Sequence, residues 1–266
     1  MKQLVFLVGC QRSGTTWLQK VLGGHPQIGT AQESHVFDQF IGPAMRFWDR
    51  VVGTDVGRGG VGLPAYLTRG EFDALGREMV ERVLAHADEY HARPVFLEKT
   101  PDHVRYVDVI QRLFPEARVV MVVRRPEDVV ESLLAAGRDW GRNWAPRSVL
   151  RAAWRWRRAV REGMEQLASV PAERQLLVRY EDMREDPVEQ TRRVLEFIGV
   201  DADRELVVRL CNEPSELNKY GHFARQSGNR VQEPEAFRRA RKGRLNPLQN
   251  LLIRLISRGH ARQFGY

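Results

Sequence analysis

The sequence predicts an α/β fold: a single domain built on a P-loop-type parallel β-sheet flanked by helices. Three observations predict it. Short apolar runs alternate with helix-patterned segments along the chain. Two of those runs, 95–98 and 118–123, are apolar almost throughout, as strands covered on both faces are. The first run, 4–8, leads into a glycine turn and a helix start, the order of a phosphate-binding unit. The chain has 266 residues, 42 % of them apolar, enough to bury one large core.

The elements follow in order. Strands are expected at 4–8, 95–98, 118–123 and 175–179. Thr68 and Glu71 form a capping box that opens a helix running to about residue 90. Thr100-Pro101 places a cap and an N1 proline before another helix, and Pro126 starts one after the third strand. A long helix is expected over about 146–168, in a stretch carrying Trp140, Trp144, Trp154 and Trp156. Asp186-Pro187 opens a helix that Gly199 stops. The glycine-rich stretch 52–64 reads as a loop.

The formal net charge is +8, and its placement is uneven. Residues 237–266 carry Arg238, Arg239, Arg241, Lys242, Arg244, Arg254, Arg258 and Arg262 and no acidic residue. The chain therefore divides into a balanced body, 1–236, and a basic helical tail, 237–266, packed on the body or extending from it. An amphipathic helix within the tail suits peripheral contact with anionic lipid, or packing against the body or a second copy in a homodimer. Nucleic acid is not an expected partner. Two cysteines, Cys10 and Cys211, do not suggest a disulfide framework, and the N-terminus lacks the pattern of a signal peptide, so the expected location is cytoplasmic. Scattered histidines and cysteines give no metal site.

Two segments carry the chemistry. After the first strand, Gly9-Cys10-Gln11-Arg12-Ser13-Gly14-Thr15-Thr16-Trp17 forms a turn into a helix N-terminus, where backbone N–H groups and the helix dipole attract an anion. Gly9 and Gly14 have the Walker A spacing, but Thr15 stands where a nucleoside triphosphatase has lysine. The strand at 118–123 ends in Arg124-Arg125, where such an enzyme would place a metal-binding aspartate. A P-loop kinase of a small molecule is thus the weaker alternative. Arg124 at a strand end suits a second phosphate, with Arg125 the rival for the same job, and Ser132 lies two turns into the next helix.

These segments resemble the sulfotransferases that use 3′-phosphoadenosine-5′-phosphosulfate (PAPS), in their bacterial, carbohydrate- or tyrosylprotein-like branches more than the phenol-like one. The resemblance implies that Gln11, Arg12, Ser13, Gly14, Thr15, Thr16 and Trp17 hold the 5′ phosphosulfate, and that Arg124 and Ser132 hold the 3′ phosphate. It further implies that Tyr180 contacts adenine, that Arg225 and Ser227 belong to a late loop over the nucleotide, and that adenosine 3′,5′-bisphosphate (PAP) is the product. In-line sulfonate transfer needs placement, charge stabilisation and removal of a proton. By the same resemblance Glu33 is the general base, with His35 as runner-up, and Lys99 and Arg12 stabilise the sulfonate. Asp102 and His103 are candidate acceptor contacts, and Trp140 and Trp144 candidate walls. The expected acceptor is a hydroxyl or amine of a small molecule, sugar, glycolipid or peptide.

Overall fold

β-Branched and aliphatic runs assemble into five parallel strands: β1 (Gln3–Gly9), β2 (Ile28–Thr30), β3 (Val95–Lys99), β4 (Arg118–Val123) and β5 (Gln175–Arg179). Their order across the sheet is β2-β3-β1-β4-β5. The computed structural model describes residues 2–52, 62–213 and 245–266. Chain order reverses at β1, which pairs with β3 on one side and β4 on the other. In open parallel sheets such a point is where ligands settle, beyond the carboxyl ends of the strands.

Alternating side chains feed two cores. Leu4, Phe6 and Val8 of β1, with Val119, Met121 and Val123 of β4, face one side. Val5 and Leu7, with Val120 and Val122, face the other. The first side is covered by α2 (Gly42–Val52), α3 (Arg69–Ala85), α5 (Val107–Leu113), α6 (Pro126–Arg138), α7 (Val149–Leu167) and α11 (Pro247–Ala261). The second is covered by α1 (Thr15–Gly23), α8 (Tyr180–Glu185), α9 (Pro187–Ile198) and α10 (Arg204–Asn212). Trp156 of α7 is fully buried, and its indole N–H donates to the carbonyl of Arg124 at 2.9 Å.

The structure departs from the sequence-based expectations in a few places. β2 is an additional strand of three residues, too few to show a period in the sequence. The helix opened by the Thr68–Glu71 capping box ends at Ala85, and a separate five-residue helix, α4 (Asp88–Ala92), follows. Thr100 does not cap a helix with its side chain; its hydroxyl donates to Glu98 at 2.7 Å. Pro101–Tyr106 is a 3-10 helix that leads into α5. The Asp186 cap and the left-handed stop at Gly199 (φ 80°) are both present around α9.

The tail helix α11 packs on α6 and α7, burying Ile253, Ser257 and Ala261. Arg254 pairs with Glu127 of α6 at 3.1 Å. Beyond the helix, the hydroxyl of Tyr266 donates to Glu181, and the Arg179 guanidinium lies 5.1 Å from the Tyr266 ring centre. Tail residues 237–244 lie outside the described residues. Among the described residues, no helix is long and apolar enough to cross a membrane.

Candidate functional site

The site is built at the carboxyl ends of β1, β3 and β4. β1 ends at Gly9, and the chain turns through Cys10–Ser13, with the Ser13 N–H donating to the Cys10 carbonyl at 3.1 Å. Gly14 opens α1 with φ 102° and no side-chain cap. A Cβ there would stand 2.4 Å from the ring of Tyr180, so only glycine lets the loop lie this close to β5's end. Arg12 also has a positive φ of 71°, a left-handed backbone uncommon for a residue with a Cβ.

Arg12 joins the two predicted phosphate segments. Arg12 Nε donates to Ser132 Oγ at 3.0 Å, across 120 residues of sequence. Arg124 Nη1 donates to the carbonyl of Arg12 at 3.3 Å, and its guanidinium covers the Tyr180 ring at 4.1 Å. Trp140 flanks Arg12 at 5.4 Å, and Trp144 lies 5.2 Å from Trp140. Burial, then the like charge of Arg124, pushes Arg12 below its ordinary value. Two cations held together in this way favour an anion between them. The hydroxyl of Ser13 and Nε of Arg124 are buried without hydrogen-bond partners, which leaves donors for such an anion. The residues present thus fit a nucleotide carrying phosphate at both ends.

A second cluster stands beside the first. Lys99, only 4 % exposed at the end of β3, is ion-paired with Oε1 of Glu33. Oε2 of Glu33 lies 3.4 Å from Nε2 of His35. Burial would raise Glu33, but His35 and Lys99 outweigh it and hold the carboxyl below its usual range. His35 occupies left-handed backbone (φ 51°) and its Nδ1 reaches Asp38 at 3.1 Å. Glu33 and Lys99, expected from the sequence in separate roles, are therefore in direct contact.

Other expected residues fall elsewhere. Gln11 donates to Asp102 at 2.6 Å and accepts from Arg155 at 3.0 Å, a link between the loop and α7 that the sequence did not signal. Thr15 is buried and Thr16 exposed on the first turn of α1. His103, expected as an acceptor contact, is fully buried between Glu98 (2.9 Å) and Asp38 (3.2 Å) and cannot touch one. The Arg125 backbone N–H donates to Glu181 at 3.0 Å, so Arg125 is fixed at its main chain beside Arg124. Arg225, Ser227 and the glycine-rich residues 53–61 lie outside the described residues. Among the described residues, no group of three His, Cys, Asp or Glu side chains is placed to hold a metal ion.

The fold is an open parallel α/β sheet with a cluster of cationic side chains beyond the carboxyl ends of its central strands. Residues 4–204 match the model of the sulfotransferase family, and the chain belongs to that family. It is accordingly an enzyme of sulfonate transfer to an acceptor. Protein-tyrosine sulfotransferase A of Caenorhabditis elegans is 23 % identical over 212 residues, covering 75 % of this chain and 50 % of that protein. The chain therefore spans half of that relative's length. In fold, the sulfotransferase domain of the Synechococcus PCC 7002 olefin synthase is similar at TM-score 0.62 and 21 % identity, over 100 % of this chain and 96 % of that one. A mouse sulfotransferase complexed with PAP is similar at TM-score 0.57 and 15 % identity, over 98 % and 85 %. Family membership displaces the kinase alternative.

Proposed function

We propose that this chain holds PAPS between the 11–17 loop and the Arg124–Ser132 pair and transfers its sulfonate in line to an acceptor hydroxyl, with Glu33 as base. The observation that carries the reading is the Arg12–Ser132 hydrogen bond at 3.0 Å, because it brings the loop after β1 into contact with the helix after β4. Ser13, Thr15, Thr16 and the first N–H groups of α1 receive the 5′ phosphosulfate. Arg124 and Ser132 receive the 3′ phosphate. The Tyr180 ring is held between Gly14 and Arg124, so it shapes the floor on which adenine would rest.

In the reaction, Glu33 accepts the acceptor's proton while the acceptor oxygen bonds to sulfur. The bond from sulfur to the 5′-phosphate oxygen breaks, and PAP leaves with the electron pair. Lys99 and Arg12 offset the charge that grows on the transferring group and the leaving oxygen. Lys99 must leave Glu33 to do so, which frees Oε1 for the proton. The acceptor class that fits this corner is a hydroxyl of a sugar, lipid, peptide or other small molecule. The name of the nematode relative favours testing a tyrosine peptide.

Titration calorimetry tests the donor site. PAP should bind far more tightly than ATP with Mg²⁺, and Arg124→Ala should weaken PAP about 10- to 100-fold, the loss of one charge-assisted contact of about 1.5–3 kcal/mol. Tighter binding of ATP would reject the reading. Glu33→Gln should keep PAP affinity and lose PAPS turnover by about 100-fold or more. An unchanged rate would remove Glu33 as base.

A further inference from the structure

A chain of charged side chains runs from the half-exposed Glu33 and His35 to the enclosed His103 and Glu98. Lys99 pairs with Glu33, Glu33 faces His35 at 3.4 Å, and His35 faces Asp38 at 3.1 Å. Asp38 lies 3.2 Å from Nε2 of His103, and Nδ1 of His103 lies 2.9 Å from Glu98. Glu98 and Lys99 are consecutive in β3, so the chain closes on itself around the end of one strand. With both histidines protonated, three cations alternate with three anions and the cluster is neutral. At the enclosed end, a neutral His103 beside an ionised Glu98 would leave a buried carboxylate without its cation.

Each link has a further restraint. Glu98 accepts from the hydroxyls of Ser34 (2.8 Å) and Thr100 (2.7 Å), and its side chain is almost wholly enclosed. His35 sits in left-handed backbone, which costs about 1–3 kcal/mol for a residue with a Cβ. That conformation sets the ring between two carboxylates. The Phe37 N–H also approaches Nε2 of His103 at 3.2 Å, a contact that only a neutral ring could accept. Carboxylates on both ring nitrogens favour the protonated form instead.

We propose that His35 is the positioning residue of the base: it holds Oε2 of Glu33, so that Oε1 is the oxygen left to take the proton once Lys99 departs, while Asp38, His103 and Glu98 hold His35 in place. This rests on Glu33 being the base. It removes His35 from contention for that role, because an imidazolium between two carboxylates has no lone pair to offer. The charged groups around His35 are Glu33, Asp38 and, more distantly, Asp102; Arg12 acts on Glu33, and Arg105 and Arg155 act on Asp102. The hydrogen bonds to Asp38 and then Glu33 raise His35 to about 10, against its burial. A folded value above the ordinary 6.5 means that the pairing stabilises the fold fully below 6.5. The contribution is lost as pH rises through about 10.

The test is spectroscopic and needs no acceptor. In the full chain bound to PAP, ¹⁵N-histidine spectra should show His35 doubly protonated at pH 8, and Asp38→Asn should lower its titration midpoint. ¹³C-glutamate spectra should show the Glu33 midpoint rising by about one pH unit in His35→Ala, since an opposing charge has gone, and returning in His35→Arg. PAP affinity should be the same in all three. A neutral His35 at pH 8 overturns the proposal. So does an unmoved Glu33 midpoint, or a midpoint that moves only together with PAP affinity, which marks a merely structural role. If His35→Ala does not fold, His35→Gln removes the cation with a smaller change and is read the same way. Full turnover by Glu33→Gln would instead reject the base itself while leaving the spectra as they are.

Discussion

Among the described residues, Arg12 and His35 are the two non-glycine residues with positive φ. Both lie in the candidate site. Their residue types were legible in the sequence as charge beside a phosphate loop and beside a glutamate. Their backbone state was not, because neither arginine nor histidine signals left-handed geometry. The Arg12–Ser132 bond was invisible for the same reason: each residue was readable in its own motif, while their meeting depends on a dihedral angle. Gly14 is the opposite case, since its spacing from Gly9 declared the turn. Gly14→Ala should cost about 1–3 kcal/mol through its positive φ and push the Tyr180 ring away from Arg124. Thermal unfolding should show the loss of stability and calorimetry a loss of PAP binding; parent-like values in both would show that the loop can shift without consequence.

At the scale of elements, strands with continuous apolar runs were read correctly because burial on both faces leaves a composition signal. β4 and β5 fall where the sequence put them. β2 escaped because three residues carry no period, and the helix from Arg69 overran because the apolar pattern continues past a break that sterics and packing decide. Caps give a sharper test of the same reasoning. Ser148 opens α7, and its hydroxyl accepts from the Arg151 N–H at 3.2 Å. Ser148→Ala should destabilise the protein by about 1 kcal/mol, and Ser148→Asp should recover most of it. Denaturant unfolding measures both, and equal stability of serine and alanine would mean that packing alone fixes the start of this helix.

For the whole molecule, the layered architecture was legible because layers follow from patterning, whereas the packing of the tail helix depends on tertiary contacts. Read as charge, the tail suggested anionic partners. In the structure its helix buries Ile253 at 0 % exposure against α6 and α7, and Arg254 is spent on Glu127. Ile253→Asp places an unpaired carboxylate there and should destabilise the fold by several kcal/mol. PAP binding should weaken along with it at temperatures where the protein is still folded. Melting in the presence and absence of PAP measures both effects, and a stable variant with full affinity would mean that the tail helix contributes little to the site.

The indole of Trp156 gives that connection a direction. It reaches through the core from α7 to the carbonyl of Arg124. Arg155 of the same helix donates to Gln11 in the loop after β1, so α7 grips both segments of the proposed donor site. A shift of α7 would displace the arginine and the loop together, and donor affinity would register it.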